Sequence, residues 1–106
     1  YKDPILGIEG LKKAGKSYAG GTSCNNYLLS PINGELNDIG KISVFIGTRD
    51  ILLADTRKLK TIANSNNIDI NYYEYQDMLH DWILFNLPES KKAIIEIINL
   101  INRTSK

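Results

Sequence analysis

The stretch that most restricts this chain is Ile42-Ser43-Val44-Phe45-Ile46, a nearly unbroken apolar run of β-branched and aromatic residues. A run this short suits a strand. Its lack of clean polar alternation suits a strand covered on both faces, as in a parallel sheet. It stops at Gly47-Thr48-Arg49-Asp50. From Asp55 to Asn66, Leu59, Ile62 and Ala63 fall on one helical face, and Asn66-Asn67 can supply the left-handed residue that ends a helix. Ile68, Ile70 and Tyr72 then alternate with Asp69, Asn71 and Tyr73, which predicts a half-buried strand. A loop runs from Gln76 to Leu87. Pro88 suits the first turn of a helix in which Ile94, Ile97, Ile98 and Ile101 recur at i, i+3, i+4 and i+7. The predicted order is strand, helix, strand, helix. Strands joined by a helix are normally parallel with a right-handed crossover, so the expected class is α/β.

Residues 1–40 read differently. Seven of the eight glycines and two of the three prolines lie there, which favours turns over extended structure. A short helix is expected between Ile8 and Ser17, with Leu11 and Ala14 on one face. Tyr18 to Thr22, Ser30-Pro31 and Asn33-Gly34 read as turns and loop. The chain of 106 residues is thus expected to be one small domain at most, with a loop-rich segment (1–40) before a β-α-β-α unit (41–106). The start, Tyr1-Lys2-Asp3-Pro4, has no initiator Met and no signal-peptide pattern, so the expectation is that it lies inside something longer.

Composition removes several function classes. With 42% hydrophobic and 24% charged residues, the chain can fold, and disorder is not expected. A net charge of +1 without a long basic run gives no footing for nucleic acid or an acidic membrane surface. No apolar run approaches the roughly 18 residues that span a bilayer. The single cysteine, Cys24, allows no internal disulfide and leans towards a reducing, cytoplasmic location. No cofactor or metal is expected. Gly20-Gly21-Thr22-Ser23 lacks the Gly-Lys-Ser/Thr of a phosphate loop, Gly47-x-x-Asp50 is no dinucleotide fingerprint, and Cys24, His80 and the carboxylates lack ligand spacing.

Ligand sites in open parallel sheets lie beyond the C-terminal ends of the strands. Asp50 follows the first predicted strand and His80 follows the second, thirty residues on. Neighbouring strands lie roughly 5 Å apart, so the two side chains could meet. An Asp bonded to one imidazole nitrogen fixes the tautomer and leaves the other nitrogen free as a general base. An Asp after a strand can equally form a turn or cap a helix, and a lone His is more often structural.

Ser30-Pro31-Ile32, Ile42 to Leu52, Tyr72 to His80, and Pro88-Glu89-Ser90 with the apolar helix behind it together resemble the C-terminal third of the hormone-sensitive-lipase-like α/β-hydrolases. The resemblance covers nearly the whole chain, most clearly Leu29 to Leu100. It implies that Gly47-x-x-Asp50 supplies the acid of a Ser-His-Asp triad. It implies that the Tyr-rich strand leading to Met78-x-His80 supplies the base. It also implies that the stretch with Tyr18, Gly20, Gly21 and Ser30-Pro31 borders the acyl pocket, with Trp82 and Phe85 helping to shape the substrate pocket. The parent activity would be carboxylic ester hydrolysis on a small ester.

Two departures qualify this. The family usually has Gly or a small residue after the histidine, and here Asp81 follows. More importantly, no Gly-x-Ser-x-Gly elbow and no His-Gly-Gly-Gly stretch occurs anywhere in the chain. The expectation is a C-terminal α/β-hydrolase fragment with acid and base but no nucleophile, inactive alone, and prone to self-associate through the edge of strand 42–46. The competing expectation is a non-enzymatic α/β interaction module in which Asp50 and His80 are incidental.

Overall fold

A computed structural model describes residues 3–104. Helix α1 spans Ile8–Ala19 and is followed by a 3₁₀ turn at Pro31–Asn33. Strand β1 (Ile42–Gly47), helix α2 (Leu53–Ser65) and strand β2 (Ile70–Tyr75) come next. A second 3₁₀ turn at Trp82–Leu84 then leads into helix α3 (Pro88–Thr104). Each strand is followed by a helix.

The two strands pair in parallel, Ile42 opposite Ile70 through to Gly47 opposite Tyr75. Both therefore end at the same edge of the sheet. The apolar run becomes β1 because its side chains find partners on both faces. On one face the ring of Phe45 stacks on Tyr73, its register partner, with centroids 4.7 Å apart. Tyr73 donates its hydroxyl to Glu96 of α3 at 3.2 Å, and Tyr75 packs on Trp82 at 4.4 Å. On the opposite face α2 covers the sheet. Arg57 grips Glu74 of β2 with two bonds of 2.7 and 3.0 Å, and the Lys60 ammonium lies 4.7 Å from the centre of the Tyr72 ring. The sheet thus carries α2 on one side and α3 on the other.

The second strand is less alternating than its sequence suggests. It begins at Ile70, with Ile68 left outside, and Glu74 alone of its six residues is exposed. Helices on both faces explain this, since no side of the strand is left fully to solvent.

Helix α3 buries a different line from the isoleucine stripe. Ser90 and Ala93 are buried and Ile97 and Leu100 half-buried, whereas Ile94, Ile98 and Ile101 are exposed. The small residues at 90 and 93 let the helix approach the Trp82 turn closely. There the buried Ser90 hydroxyl donates to the Trp82 carbonyl at 2.7 Å. Helix α1 is longer than expected and buries none of its residues; Leu11 is exposed.

Candidate active site

At the shared sheet edge, two loops are knitted together by backbone. The Thr48 N–H donates to the Tyr75 carbonyl at 3.0 Å, and the Arg49 N–H to the Met78 carbonyl at 3.0 Å. In return the Asp77 N–H donates to the Thr48 hydroxyl at 2.7 Å. Gly47 makes this closeness possible, because any side chain there would run into Met78. Asp77 and Asp81 adopt left-handed backbone (φ 62° and 56°), which Asp tolerates better than most residues. These two reversals steer the chain after β2 back over β1, and His80 lies between them.

Asp50 is only 4% exposed. Its backbone N–H closes the turn onto the Gly47 carbonyl at 3.1 Å. Its carboxylate accepts the Leu52 N–H at 2.9 Å, and both oxygens lie against Nδ1 of His80, at 3.2 and 3.1 Å. An ionised carboxylate only accepts, so this contact requires the proton on Nδ1. In the neutral ring Nε2 then carries the free lone pair. The imidazole is 21% exposed, and Nε2 faces the exposed Asp81 carboxylate at 3.4 Å. Chemically the arrangement is an oriented general base: one nitrogen held by a buried acid, the other presented outward. Asp50 and His80 are thus brought together as the sequence spacing expects.

The other two site candidates are placed differently from each other. Trp82 is 3% exposed, under Tyr75 and against α3, whereas Phe85 is 45% exposed on the surface. The Ser30-Pro31 segment folds over the N-terminal side of α2. There Pro31, Ile32, Leu36 and Ile39 face Ile42, Leu52 and Leu59 across a groove of about 470 Å³.

One residue of the region carries no signal that sequence reasoning used. Asp3 accepts the N–H groups of Ile5 (2.7 Å) and Leu6 (3.0 Å) through Oδ1, and that of Ile51 (2.8 Å) through Oδ2. Partial burial pushes its carboxyl upward, but the N–H groups of Leu6, Ile5 and Ile51 and the charge of His80 outweigh this and hold it below its ordinary value. The bond to Ile51, 48 residues on, leaves no trace in the local sequence. Among the described residues no cluster of three or more His, Cys, Asp or Glu could hold a metal, and no helix is long and apolar enough to cross a membrane.

A family model of the alpha/beta hydrolase fold matches residues 1–84. The chain belongs to the α/β-hydrolases. Within that family it is similar to an acetyl-hydrolase of Streptomyces hygroscopicus, 26% identical over 106 residues, covering 98% of this chain and 35% of the relative. Among solved structures, an esterase/lipase from an uncultured bacterium superposes with a TM-score of 0.85 at 26% identity, over 95% of this chain and 34% of that one. A hormone-sensitive lipase from a metagenome library superposes with a TM-score of 0.87 at 23% identity, over 93% of this chain and 34% of that one. The structural neighbours are hormone-sensitive-lipase-like esterases and lipases. The chain spans about a third of the length of these hydrolases.

Proposed function

We propose that this chain is the acid- and base-bearing part of a carboxylic ester hydrolase. His80 acts as general base and acid, and Asp50 orients it. The observation that carries this reading is the buried Asp50 carboxylate on Nδ1 of His80 at 3.1 Å, at the sheet edge where two parallel strands end. The esterase and acetyl-hydrolase relatives support it.

In this reading the nucleophile is a serine outside these residues. Its hydroxyl oxygen attacks the acyl carbon of a small ester, and Nε2 of His80 takes the hydroxyl proton. Asp50 keeps the other nitrogen protonated and stabilises the imidazolium. His80 then passes the proton to the departing alcohol oxygen, leaving an acyl-serine that water cleaves by the same route in reverse. Asp81 Oδ2 lies 3.4 Å from Nε2, on the side from which the serine approaches. Its 62% side-chain exposure leaves it free to swing aside. The chain on its own is inactive in this reading.

The test has two parts. A fluorophosphonate, which modifies only activated serines, leaves the intact mass of this chain unchanged; an adduct overturns the assignment of the nucleophile to other residues. In a longer protein that contains this chain and a Gly-x-Ser-x-Gly elbow, Asp50→Asn lowers kcat on a p-nitrophenyl ester by about 10⁴-fold, the size seen when a triad acid is replaced in a serine protease. A loss below about tenfold, which corresponds to only about 1.4 kcal/mol of barrier, sinks the reading.

A further inference from the structure

The turn that carries Asp50 is held by two carboxylates. Asp50 takes the Leu52 N–H for itself, while the preceding N–H, that of Ile51, donates to Asp3 Oδ2 at 2.8 Å. Helix α2 begins immediately afterwards at Leu53, and its cap residue, Leu52, has a side chain that cannot accept a hydrogen bond. Helix N-termini leave backbone donors without partners and favour negative charge. Here Asp50 accepts the N–H of the cap residue Leu52, and Asp3, from 48 residues away, accepts the N–H just before it and adds negative charge at that end of the helix.

The position of the Ile51 bond matters more than its number. The Ile51 N–H belongs to the peptide plane that leaves Asp50. Fixing that plane fixes the ψ angle of Asp50, and with it the direction in which the Asp50 side chain leaves the backbone. Asp3 is itself held rigid, since its other oxygen accepts the Ile5 and Leu6 N–H groups. One carboxylate thus ties a local turn at residues 3–6 to the acid loop. A carboxamide cannot replace it. Asn has one acceptor oxygen and one amide nitrogen. With the oxygen kept on Ile5 and Leu6, the nitrogen would point a donor at the Ile51 N–H.

We propose that Asp3 is a positioning residue of the site, a second carboxylate that aims Asp50 at Nδ1 of His80 by anchoring the Ile51 N–H. This rests on the reading of Asp50 and His80 as acid and base. The charged groups around the imidazole are Asp50 on Nδ1, Asp81 on Nε2, and Asp3, whose charge interacts with it through space.

The experiment uses this chain labelled with ¹⁵N at histidine and isoleucine, the ring nitrogens read at about pH 9, where an ordinary imidazole is neutral, and the Ile51 amide exchange read at lower pH. Nitrogen shifts report which ring nitrogen carries the proton, and amide exchange reports the Ile51 bond. The unaltered chain is expected to hold the Nδ1–H tautomer. Asp50→Asn shifts the population towards Nε2–H. Asp3→Asn is expected to speed Ile51 exchange about tenfold, the effect of losing one charge-assisted bond, and to lower the Nδ1–H population in the same direction as Asp50→Asn. Faster Ile51 exchange with an unchanged tautomer makes Asp3 a simple tether and overturns the proposal. No change in either readout overturns it as well. If Asp3→Asn does not fold, Asp3→Glu is measured instead. Its extra methylene displaces the carboxylate from Ile51, so the same pair of changes supports the proposal and an unchanged tautomer overturns it. An Asp50→Asn chain with the tautomer of the unaltered chain would instead remove the acid–base reading itself.

Discussion

A methyl group placed on Gly47 would collide with the carbonyl oxygen and the carbonyl carbon of Met78. Both atoms are backbone, so neither can rotate away. The same Met78 carbonyl accepts the Arg49 N–H, one residue before the buried acid. Gly47→Ala must therefore push the histidine loop off the acid loop. The expected cost is about 3 kcal/mol, the upper end of overpacking, seen as a lower urea midpoint with an unchanged slope. A change below about 0.5 kcal/mol, the level of an ordinary surface substitution, would show that the loops are not pinned at this point.

The stretches that declared themselves in the sequence are those whose partners are generic. Ile42–Ile46 needs only apolar cover on two faces, and Leu59, Ile62 and Ala63 need only a sheet to lie on. The order of these periodic elements also put Asp50 and His80 at one sheet edge, which is why their meeting was legible. What was not legible depends on close approach or on distant bonds. Ile94, Ile98 and Ile101 dominate the helical pattern, yet Ser90 and Ala93 decide which side of α3 packs, because their small size permits contact with the Trp82 turn. Hydrophobicity ranks a serine last on that face. Nothing in the sequence around Asp3 points to Ile51.

Ser90 is 1% exposed, and its hydroxyl donates to the Trp82 carbonyl at 2.7 Å. Ser90→Ala fits the space but leaves that buried carbonyl with the Phe85 N–H, at 3.0 Å, as its remaining donor. Losing one of the two hydrogen bonds on that carbonyl costs about 1 kcal/mol. The expected result is a lower urea midpoint for Ser90→Ala, with the near-ultraviolet signal of Trp82 altered in the folded state. An unchanged midpoint would mean that the Phe85 N–H alone satisfies the Trp82 carbonyl.

Among the described residues β1 pairs on one side only. The Ile42 N–H points to β2, bonding the Asp69 carbonyl at 3.2 Å. By strand alternation the N–H of the exposed Ser43 points to the other edge. An unpaired, largely apolar edge recruits another strand. Sedimentation velocity on this chain is expected to show mass rising with concentration. Ser43→Pro removes a donor from the free edge and no backbone bond to β2, at the loss of the bond from Asn71 Nδ2 to the Ser43 hydroxyl (3.3 Å), and is expected to hold the chain at monomer mass. A monomer at every concentration in the unaltered chain would contradict the prediction directly.

The Glu74 carboxylate accepts two bonds from Arg57, at 2.7 and 3.0 Å, and the Tyr72 hydroxyl at 2.9 Å. The Arg57 guanidinium is the main cause that holds its pKa down at about 2, against the ordinary 4.5, with burial opposing and the Tyr72 hydroxyl adding to it. The folded-state value is depressed, so folding favours the ionised form. The resulting stability is present above about 4.5 and is lost as pH falls through about 2. Tyr72 has the opposite sense. Burial, and then its bond to Glu74, push it up to about 12 from 10.0, so its contribution is present below 10.0 and is lost as pH rises towards 12. Glu74→Gln removes the charge but keeps the shape. Its urea midpoint is expected to lie below that of the unaltered chain near neutral pH, with the gap closing between about 4.5 and about 2. The Arg57 side chain is 56% exposed, so added salt is also expected to narrow the gap. A gap that stays constant from neutral pH down to 2 would mean that Arg57 and Glu74 hold α2 to the sheet by packing alone.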